Sequence, residues 1–379
     1  MTRALSAVAP DPEPVLIALR AALDGSGPAV RIAAPGGPPA DAVVPQRVAV
    51  VVETSGSSGP PKRVALATAA LLTSASATLA ELGGPGRWLL CLPTHYIAGV
   101  QVLVRSLTAE ADPVVLTPGR FDADAFVALA RTMPAGERRY SSLVPVQLAR
   151  LLDLAERDPA AADVLRSFDA LLVGGQATPP SLRDRAAALG ARIRLTYGSS
   201  ETSGGCVYDG VPLRDVRVRV EGGEVLLGGP VLAEGYLETE GGFDHERTAS
   251  AFVTLEGERW YRTGDAGVLD EGRLRVTGRL DRVIVSGGEK VSLDSVESVL
   301  RESAVPDAVV VRRPDEQWGE VPVVVTVHGS PSLTAMRALV VERLGRAAGP
   351  AAVLVVPEIP LLDSGKPDRP SLERLAADS

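Results

Sequence analysis

The sequence predicts an α/β protein, a large layered N-terminal α/β domain with a β-rich subdomain followed by a small C-terminal α+β domain. Three observations predict it. Up to about residue 212, short apolar runs alternate with longer helix-like stretches; then period-two alternation around glycine pairs takes over; from about residue 283 the order is strand, helix, strand, strand, helix. Strands alternating with helices build a layered, mainly parallel sheet, and 379 residues exceed what one small core organises.

The elements follow in chain order. Residues 22–46, rich in Gly, Pro and Ala, read as an irregular lead-in over the surface. The apolar runs VAVVV (48–52), RWLLCL (87–92), PVVLT (113–117) and ALLVGG (170–175) read as strands. Between them, 66–82, 122–132, 145–156 and 179–189 repeat Ala, Leu, Arg and Glu at helical spacing. VRVRVEGGEVLLGG and RLRVTGRLDRVIVSGG alternate about Gly-rich turns, the pattern of hairpins. The last part runs through the helix SLDSVESVLRES, the strands DAVVVRR and VPVVVTV and the helix SLTAMRALVVERL, and ends in a loop bearing Lys366.

Composition narrows the function classes. With 45% hydrophobic and 23% charged residues the chain packs as an ordinary globular protein. No apolar run approaches about 18 residues, and MTRALSAVAPDPEP lacks the regions of a secretory signal, so no membrane anchor and a cytoplasmic location are expected. A formal charge of -8 disfavours a sequence-independent hold on nucleic acid. Cys91 and Cys206 are too few for a disulfide framework or a zinc site and read as small buried hydrophobes. Homo-oligomer formation is left open. Of 39 basic residues only Lys62, Lys290 and Lys366 are lysines, each beside a Ser-Gly or Gly-Gly segment. A compact ammonium enters a crowded, charged centre where the planar guanidinium fork does not.

Four stretches carry chemistry. In VVETSGSSGPPKRVAL (51–66), Thr54, Ser55, Gly56, Ser57, Ser58, Gly59 and Lys62 follow a strand, with glycines for close backbone approach and hydroxyls for an anion. Two residues separate Gly56 from Gly59 and Lys62 follows two prolines, which disfavours a Walker-type NTPase. On composition alone the loop is equally a Gly/Ser turn with an incidental lysine. In TYGSSET (196–202), Thr196, Tyr197 and Gly198 end a strand and deliver the Ser199 and Ser200 hydroxyls and the Glu201 carboxylate, an oxygen ligand suited to Mg²⁺ on phosphates. In WYRTGD (260–265), Asp265 closes a turn and can accept from a vicinal diol. In LLDSGKPDR (361–369), Lys366 follows Ser364 and Gly365 in a loop, a compact cation in a chain that otherwise uses arginine.

These stretches, with GRLDRVIVSGGEKVSLDSVE (278–297), resemble in content and order the motifs of the adenylate-forming superfamily of acyl-CoA synthetases, peptide-synthetase adenylation domains and luciferases. The resemblance covers almost everything from residue 48 onward. It implies ATP, Mg²⁺ and coenzyme A as cofactor and co-substrates, with Glu201 holding the metal, Ser200 on the α-phosphate, Tyr197 on the adenine and Asp265 with Arg279 on the ribose. It places Gly174, Gly175 and Gln176 of VGGQATPP beside the adenine and acyl pockets. It further implies that Lys366 rides a mobile small domain, residues 281–379, turning about a hinge at Asp281 against residues 1–280. After rotation, Gly287, Gly288 and Lys290 would face coenzyme A. Ser200 stands where Thr is usual, Pro367 where an apolar residue is usual, and Arg282 where a second acid is often found.

About fifty residues precede the phosphate loop, fewer than in most of that superfamily. With LPTHYIAGVQVLVRSL (92–107), SLVPVQLARLL (142–152) and LLVGGQATPPSLRDRAAALGARIRLTYGSSET (171–202), this resembles the short actinobacterial o-succinylbenzoate–CoA ligases of menaquinone biosynthesis. The implied substrate is a small aryl or alkyl carboxylic acid, o-succinylbenzoate, activated as its acyl-adenylate. His95 stands where relatives place an aromatic or histidine gate, and is equally readable as a structural histidine. Ser203, Gly204 and Gly205 are expected to offer hydroxyl or N–H groups to the acid, whose ring carboxylate finds no unique arginine in the sequence. Rival readings are another small acyl-CoA synthetase, a carrier-loading adenylation enzyme, and a nucleotide-binding regulator without turnover.

Overall fold

The computed structural model describes residues 1–33, 43–54, 62–238, 242–303, 305–329, 331–361 and 367–377. Strand β1 (Thr2–Val8) leads to α1 (Pro12–Asp24), β2 (Ala29–Ile32), β3 (Val43–Pro45), β4 (Val48–Thr54), β5 (Lys62–Ala67) and α2 (Thr68–Glu81). The segment expected to be an irregular lead-in therefore contains the end of α1 and two strands. AVRI is short, but all four of its residues are buried between β1 and β4, both of which it pairs in parallel. Residues 66 and 67, at the start of the stretch read as helix, belong instead to β5, which pairs antiparallel with β4. With β15 (Gly235–Leu237) these strands make one sheet, ordered β15-β5-β4-β2-β1-β3.

The second sheet holds the expected parallel layer. It is built from β6 (Arg87–Leu90), α3 (Ile97–Thr108), β7 (Val114–Val115), α4 (Ala123–Thr132), β8 (Arg139–Leu143), α5 (Pro145–Ala155), α6 (Pro159–Arg166), β9 (Ala170–Val173), α7 (Pro180–Ala188), β10 (Ile193–Ser199), β11 (Gly204–Tyr208) and β12 (Val211–Pro212). The order is β12-β11-β10-β9-β8-β6-β7, parallel from β7 to β10 and antiparallel beyond. Both faces are covered, which is why the strands read as unbroken apolar runs. Trp88, Leu90 and Leu172 enter the core beneath α2 and α3, whereas Leu89, Leu171 and Val173 enter the core beneath α4 to α7. The helix starts are written in the sequence: Asp122 accepts from the Asp124 and Ala125 N–H groups, Asp158 from that of Ala160, and α5, α6 and α7 carry proline in the first turn.

The hairpin-patterned region gives β13 (Arg217–Glu221), β14 (Glu224–Gly228), α8 (His245–Ala251), β16 (Phe252–Leu255), β17 (Glu258–Asp270) and β18 (Arg273–Arg279). Its sheet runs β13-β14-β17-β16, with β18 on β17. A last sheet, β20-β19-β22-β21 with β23 on β22, is formed by β19 (Val283–Ser286), β20 (Glu289–Ser292), β21 (Val309–Asp315), β22 (Gly319–Thr326) and β23 (Ala352–Val355). Helices α9 (Leu293–Ser303) and α10 (Leu333–Leu344) cover one face through Val296, Leu300, Met336 and Val340. The other face is covered by α11 (Arg369–Ala377) through Leu372 and Ala376, a helix beyond the loop at which the sequence pattern stops. Among the described residues no helix is long and apolar enough to cross a membrane.

One buried carboxylate organises this C-terminal unit. Glu297 on α9 accepts from the Val310 N–H at 3.0 Å and from Arg282 at 3.3 Å, Arg301 at 2.9 Å and Arg369 at 2.9 and 3.1 Å. Burial pushes its carboxyl up, but the hydrogen bonds and charges of Arg369, Arg301 and Arg282 together hold it below the usual range. A depressed folded value means that this contribution to stability is present above the unfolded value, near pH about 4.3, and is lost as pH falls through the folded one. Glu297→Gln should destabilise the C-terminal unit by about 3–5 kcal/mol, since it strands buried guanidiniums. Urea unfolding followed at Trp318 checks this: a lowered midpoint at pH 7 is expected, with the gap between variant and parent narrowing in acid.

Candidate active site

The site is built where β10 ends. Gly198 lies so close to the returning strand that a Cβ would stand 2.2 Å from the Gly204 carbonyl oxygen, a contact only glycine permits. Between them the chain makes one turn of 3-10 helix over 200–202 and passes Ser203 in the left-handed region at φ 54°. Thr202 locks the turn: its hydroxyl accepts from the Ser199 N–H at 2.9 Å and donates to the Gly204 carbonyl at 2.8 Å. The turn buries Ser200 and Glu201 at the strand's carboxyl end.

Glu201 is held from the adjoining sheet. The Tyr236 phenol donates to its Oε1 at 2.8 Å, and the Glu201 carbonyl accepts from the Ala233 N–H at 2.8 Å. Burial, then the Glu201 charge, raises the Tyr236 phenol well above its usual range, so it stays a donor. The Lys62 ammonium lies 5.5 Å from the centre of the Tyr236 ring. Lys62 pairs with Thr54 across β4 and β5, which places the phosphate-loop motif as the connection of this hairpin. Ser55, Gly56, Ser57, Ser58 and Gly59 lie outside the described residues, as does Lys366.

On the other side, the Tyr197 phenol donates to Asp265 at 2.6 Å. Asp265 on β17 stands in register with Arg279 on β18, and the guanidinium reaches its carboxylate at 3.2 Å. Arg279 also donates to the Thr263 carbonyl at 3.0 Å and to Asp281 at 3.1 and 3.2 Å. Burial raises the Asp265 carboxyl despite the bonds from Tyr197 and Arg279. Burial likewise pushes the Asp281 carboxyl up, but Arg279 above all holds it below the ordinary value. Asp281 lies in a 3-10 turn between β18 and β19, its carbonyl taken by Arg312.

A third group lies against β11. A Cβ on Gly204 would stand 3.2 Å from Gln101 and 3.8 Å from Ile97 on α3, and one on Gly205 would stand 3.0 Å from Thr196. Gly174 is pressed more closely still, a Cβ there standing 2.3 Å from Thr196 Oγ1, with Gly175 and the exposed Gln176 following it. Gln101 donates to the Leu71 carbonyl at 3.4 Å, while its buried Oε1 has no partner among the described residues. One helical turn on is Arg105, 3% exposed, its guanidinium 5.0 Å from the Trp88 ring and its Nε without a partner among the described residues. Burial lowers its pKa, the mark of a desolvated cation. Neither Gln101 nor Arg105 was singled out by the sequence reading. The available signal was two polar residues four apart inside the apolar helix that follows His95.

The structure brings together Thr54, Lys62, Ser200, Glu201, Tyr197, Asp265 and Arg279, from the ends of β4, β10 and β18, the start of β5 and the middle of β17. His95 sits half-buried between β6 and α3 with its ring 4.2 Å from that of Tyr96. Gly287, Gly288 and Lys290 lie apart, on the β19–β20 hairpin, where the Gly287 N–H donates to the Trp318 carbonyl at 2.9 Å. Ser203 is a correction. Its hydroxyl donates to the Val231 carbonyl at 2.8 Å and its N–H to the Ser200 carbonyl at 3.1 Å, so both donors expected for the acid are taken within the protein. Both cysteines are packing residues, with burial pushing their thiols up to about 12.

The donor set fits magnesium. Among the described residues no three His, Cys, Asp or Glu side chains cluster as a cage. One buried carboxylate, anchored through a single oxygen, is what Mg²⁺ uses when phosphates and water complete its shell.

Residues 5–237 match the model of the AMP-binding enzymes, and residues 295–366 that of the AMP-binding enzyme C-terminal domain. A Mycobacterium tuberculosis protein named a "probable 2-succinylbenzoate–CoA ligase" is 43% identical over 337 residues, covering 86% of this chain and 84% of that protein. The o-succinylbenzoate CoA synthetase of Bacillus subtilis, solved with its acyl-adenylate intermediate, superposes with a TM-score of 0.76 at 25% identity, covering 97% of this chain and 83% of that one. The same enzyme solved with AMP gives a TM-score of 0.74 at 27% identity over 86% and 69%. The turn that carries Glu201, the Tyr197–Asp265–Arg279 cluster and the family match agree, and the chain belongs to the AMP-binding enzymes.

Proposed function

We propose that the protein is an AMP-forming acid–thiol ligase that activates o-succinylbenzoate with ATP and passes the acyl group to coenzyme A. The observation that carries the choice of acid is Arg105. A buried guanidinium with no carboxylate partner among the described residues is costly to keep. It lies on the same face of α3 as Ile97 and Gln101, which line β11, so an acid extending past Gln101 would bring a second carboxylate to it. A dicarboxylate satisfies this arrangement with one group buried and the other free to react; a simple monocarboxylate leaves the cation bare.

The chemistry follows from the site. Asp265 with Arg279 suits the ribose diol, Tyr197 and the Gly174–Gln176 loop the base, and Thr54, Lys62 and the hairpin loop the phosphates. Glu201 would hold magnesium, which would offset the charge of the phosphates. The succinyl carboxylate oxygen bonds to the α-phosphorus as the bond to pyrophosphate breaks; the coenzyme A sulfur then bonds to the acyl carbon as the bond to AMP breaks. Both reactants of the first step are anions, so a cation brought in by Lys366 lowers that barrier selectively. Turning the unit of residues 281–379 about Asp281 would withdraw Lys366 and bring Gly287, Gly288 and Lys290 towards the thiol carrier. ATP and coenzyme A as reagents place the reaction in the cytoplasm.

Three measurements test this reading. Arg105→Leu should lower kcat/KM for o-succinylbenzoate by about 2–5 kcal/mol in free energy, with ATP binding intact. 3-Benzoylpropionate, the same acid without its ring carboxylate, should be indifferent to the substitution; equal losses with both acids would contradict the pairing. Lys366→Ala should cost about 3–4 kcal/mol in pyrophosphate exchange while leaving thiolysis of a synthetic acyl-adenylate near normal. Asp281→Pro, which stiffens the turn, should show the opposite bias, and unaltered thioester formation would argue against Asp281 as the pivot.

A further inference from the structure

Tyr236 stands outside the roles assigned above, yet it touches two groups that the chain supplies from distant segments. It is the middle residue of β15, which runs antiparallel to β5 with Tyr236 opposite Val64. Side chains alternate along a strand, so Lys62 and Val64 share a face, and the Tyr236 ring lies diagonally across from Lys62 on that face. The ammonium is 5.5 Å from the ring centre. From the far end of the same ring the phenol donates to Glu201 Oε1 at 2.8 Å. Tyr236 is 1% exposed and Glu201 6% exposed. In such a place the carboxylate needs a donor and the phenol an acceptor, and each answers the other.

The plain reading is packing, since the Tyr236 ring lies 6.0 Å from that of Phe252. Phenylalanine would serve that purpose as well and would need no buried acceptor. The hydroxyl has a consequence packing does not require: it fixes one carboxylate oxygen of Glu201 and thereby the direction in which the other is presented. The ring face, negative at its centre, meanwhile seats the ammonium that heads the phosphate hairpin.

We propose that Tyr236 is the positioning residue of the magnesium–triphosphate site, orienting the Glu201 carboxylate for the metal through its hydroxyl and seating Lys62 for the phosphates on its ring. This rests on Glu201 being the magnesium ligand of an ATP-dependent ligase. Hydrogen bonds of this kind orient metal ligands, and their loss lowers metal affinity about 10–100-fold.

The test separates hydroxyl from ring. Tyr236→Phe keeps the packing and the seat for Lys62 and removes only the donor; Tyr236→Leu removes both. ATP binding is measured by titration calorimetry in chelator and across a magnesium series, alongside the magnesium dependence of pyrophosphate exchange. In Tyr236→Phe, the magnesium concentration giving half of the metal-dependent gain in ATP affinity should rise about 10-fold or more, with affinity in chelator unchanged. Tyr236→Leu should in addition weaken ATP binding in chelator. Unchanged magnesium dependence in Tyr236→Phe, or an equal loss with and without metal, overturns the inference alone. A parent protein whose ATP binding ignores magnesium overturns the ligand reading of Glu201 and this inference with it.

Discussion

The site depends on one backbone constraint, the near-contact of Gly198 with the Gly204 carbonyl where β10 turns back into β11. Because the two strands close so tightly, the intervening residues have one path, and Thr202 fixes it by bonding to the backbone on both sides. The path carries Ser200 and Glu201 to the carboxyl edge of the parallel layer, where ligands of layered α/β folds collect. It also sets Tyr197 near the end of β10, where a residue of the second sheet meets Asp265 on the third. A side chain at position 198 would open the hairpin and separate all three groups at once.

The charge economy of the chain follows the same geometry. Carboxylates of the frame are held by arginine: half-buried Glu53 by Arg31 and Arg63, buried Glu224 by Arg262, and buried Glu297 by Arg282, Arg301 and Arg369. The planar fork satisfies two oxygens or bridges two elements, and so serves architecture. Lys62 has no such carboxylate among the described residues and rests on an aromatic face, from which an ammonium can reach towards phosphates without breaking an ion pair. The scarcity of lysine in the sequence thus corresponds to a division of labour between the two cations.

How much was legible varied with the range of the interaction. TYGSSET and WYRTGD were readable because their chemistry is packed into consecutive residues, and the helices between the parallel strands because their period is local. The N-terminal strands were hidden because AVRI owes its strand state to β1 and β4 on either side, not to its Gly- and Pro-rich surroundings. Helix α11 was missed because its apolar content is thin until Leu372 and Ala376 are set against β21 and β22. Ser203 was read as a donor to the acid, and its hydroxyl bond to the Val231 carbonyl, 28 residues along the chain, is written in no local pattern. Arg105, Gln101 and Tyr236 acquire meaning through register between segments far apart in sequence, which no local pattern encodes.

The stacking of Arg105 over Trp88 has an optical consequence. The chain has three tryptophans; Trp260 lies on β17 and Trp318 in the C-terminal unit, while Trp88 is fully enclosed with a cation 5.0 Å from its ring. An indole's emission responds to the electric field across it, and an anion neutralising the guanidinium would change that field without disturbing the other two chromophores. If the acid pairs with Arg105 as proposed, the emission of Trp88 would report its occupancy.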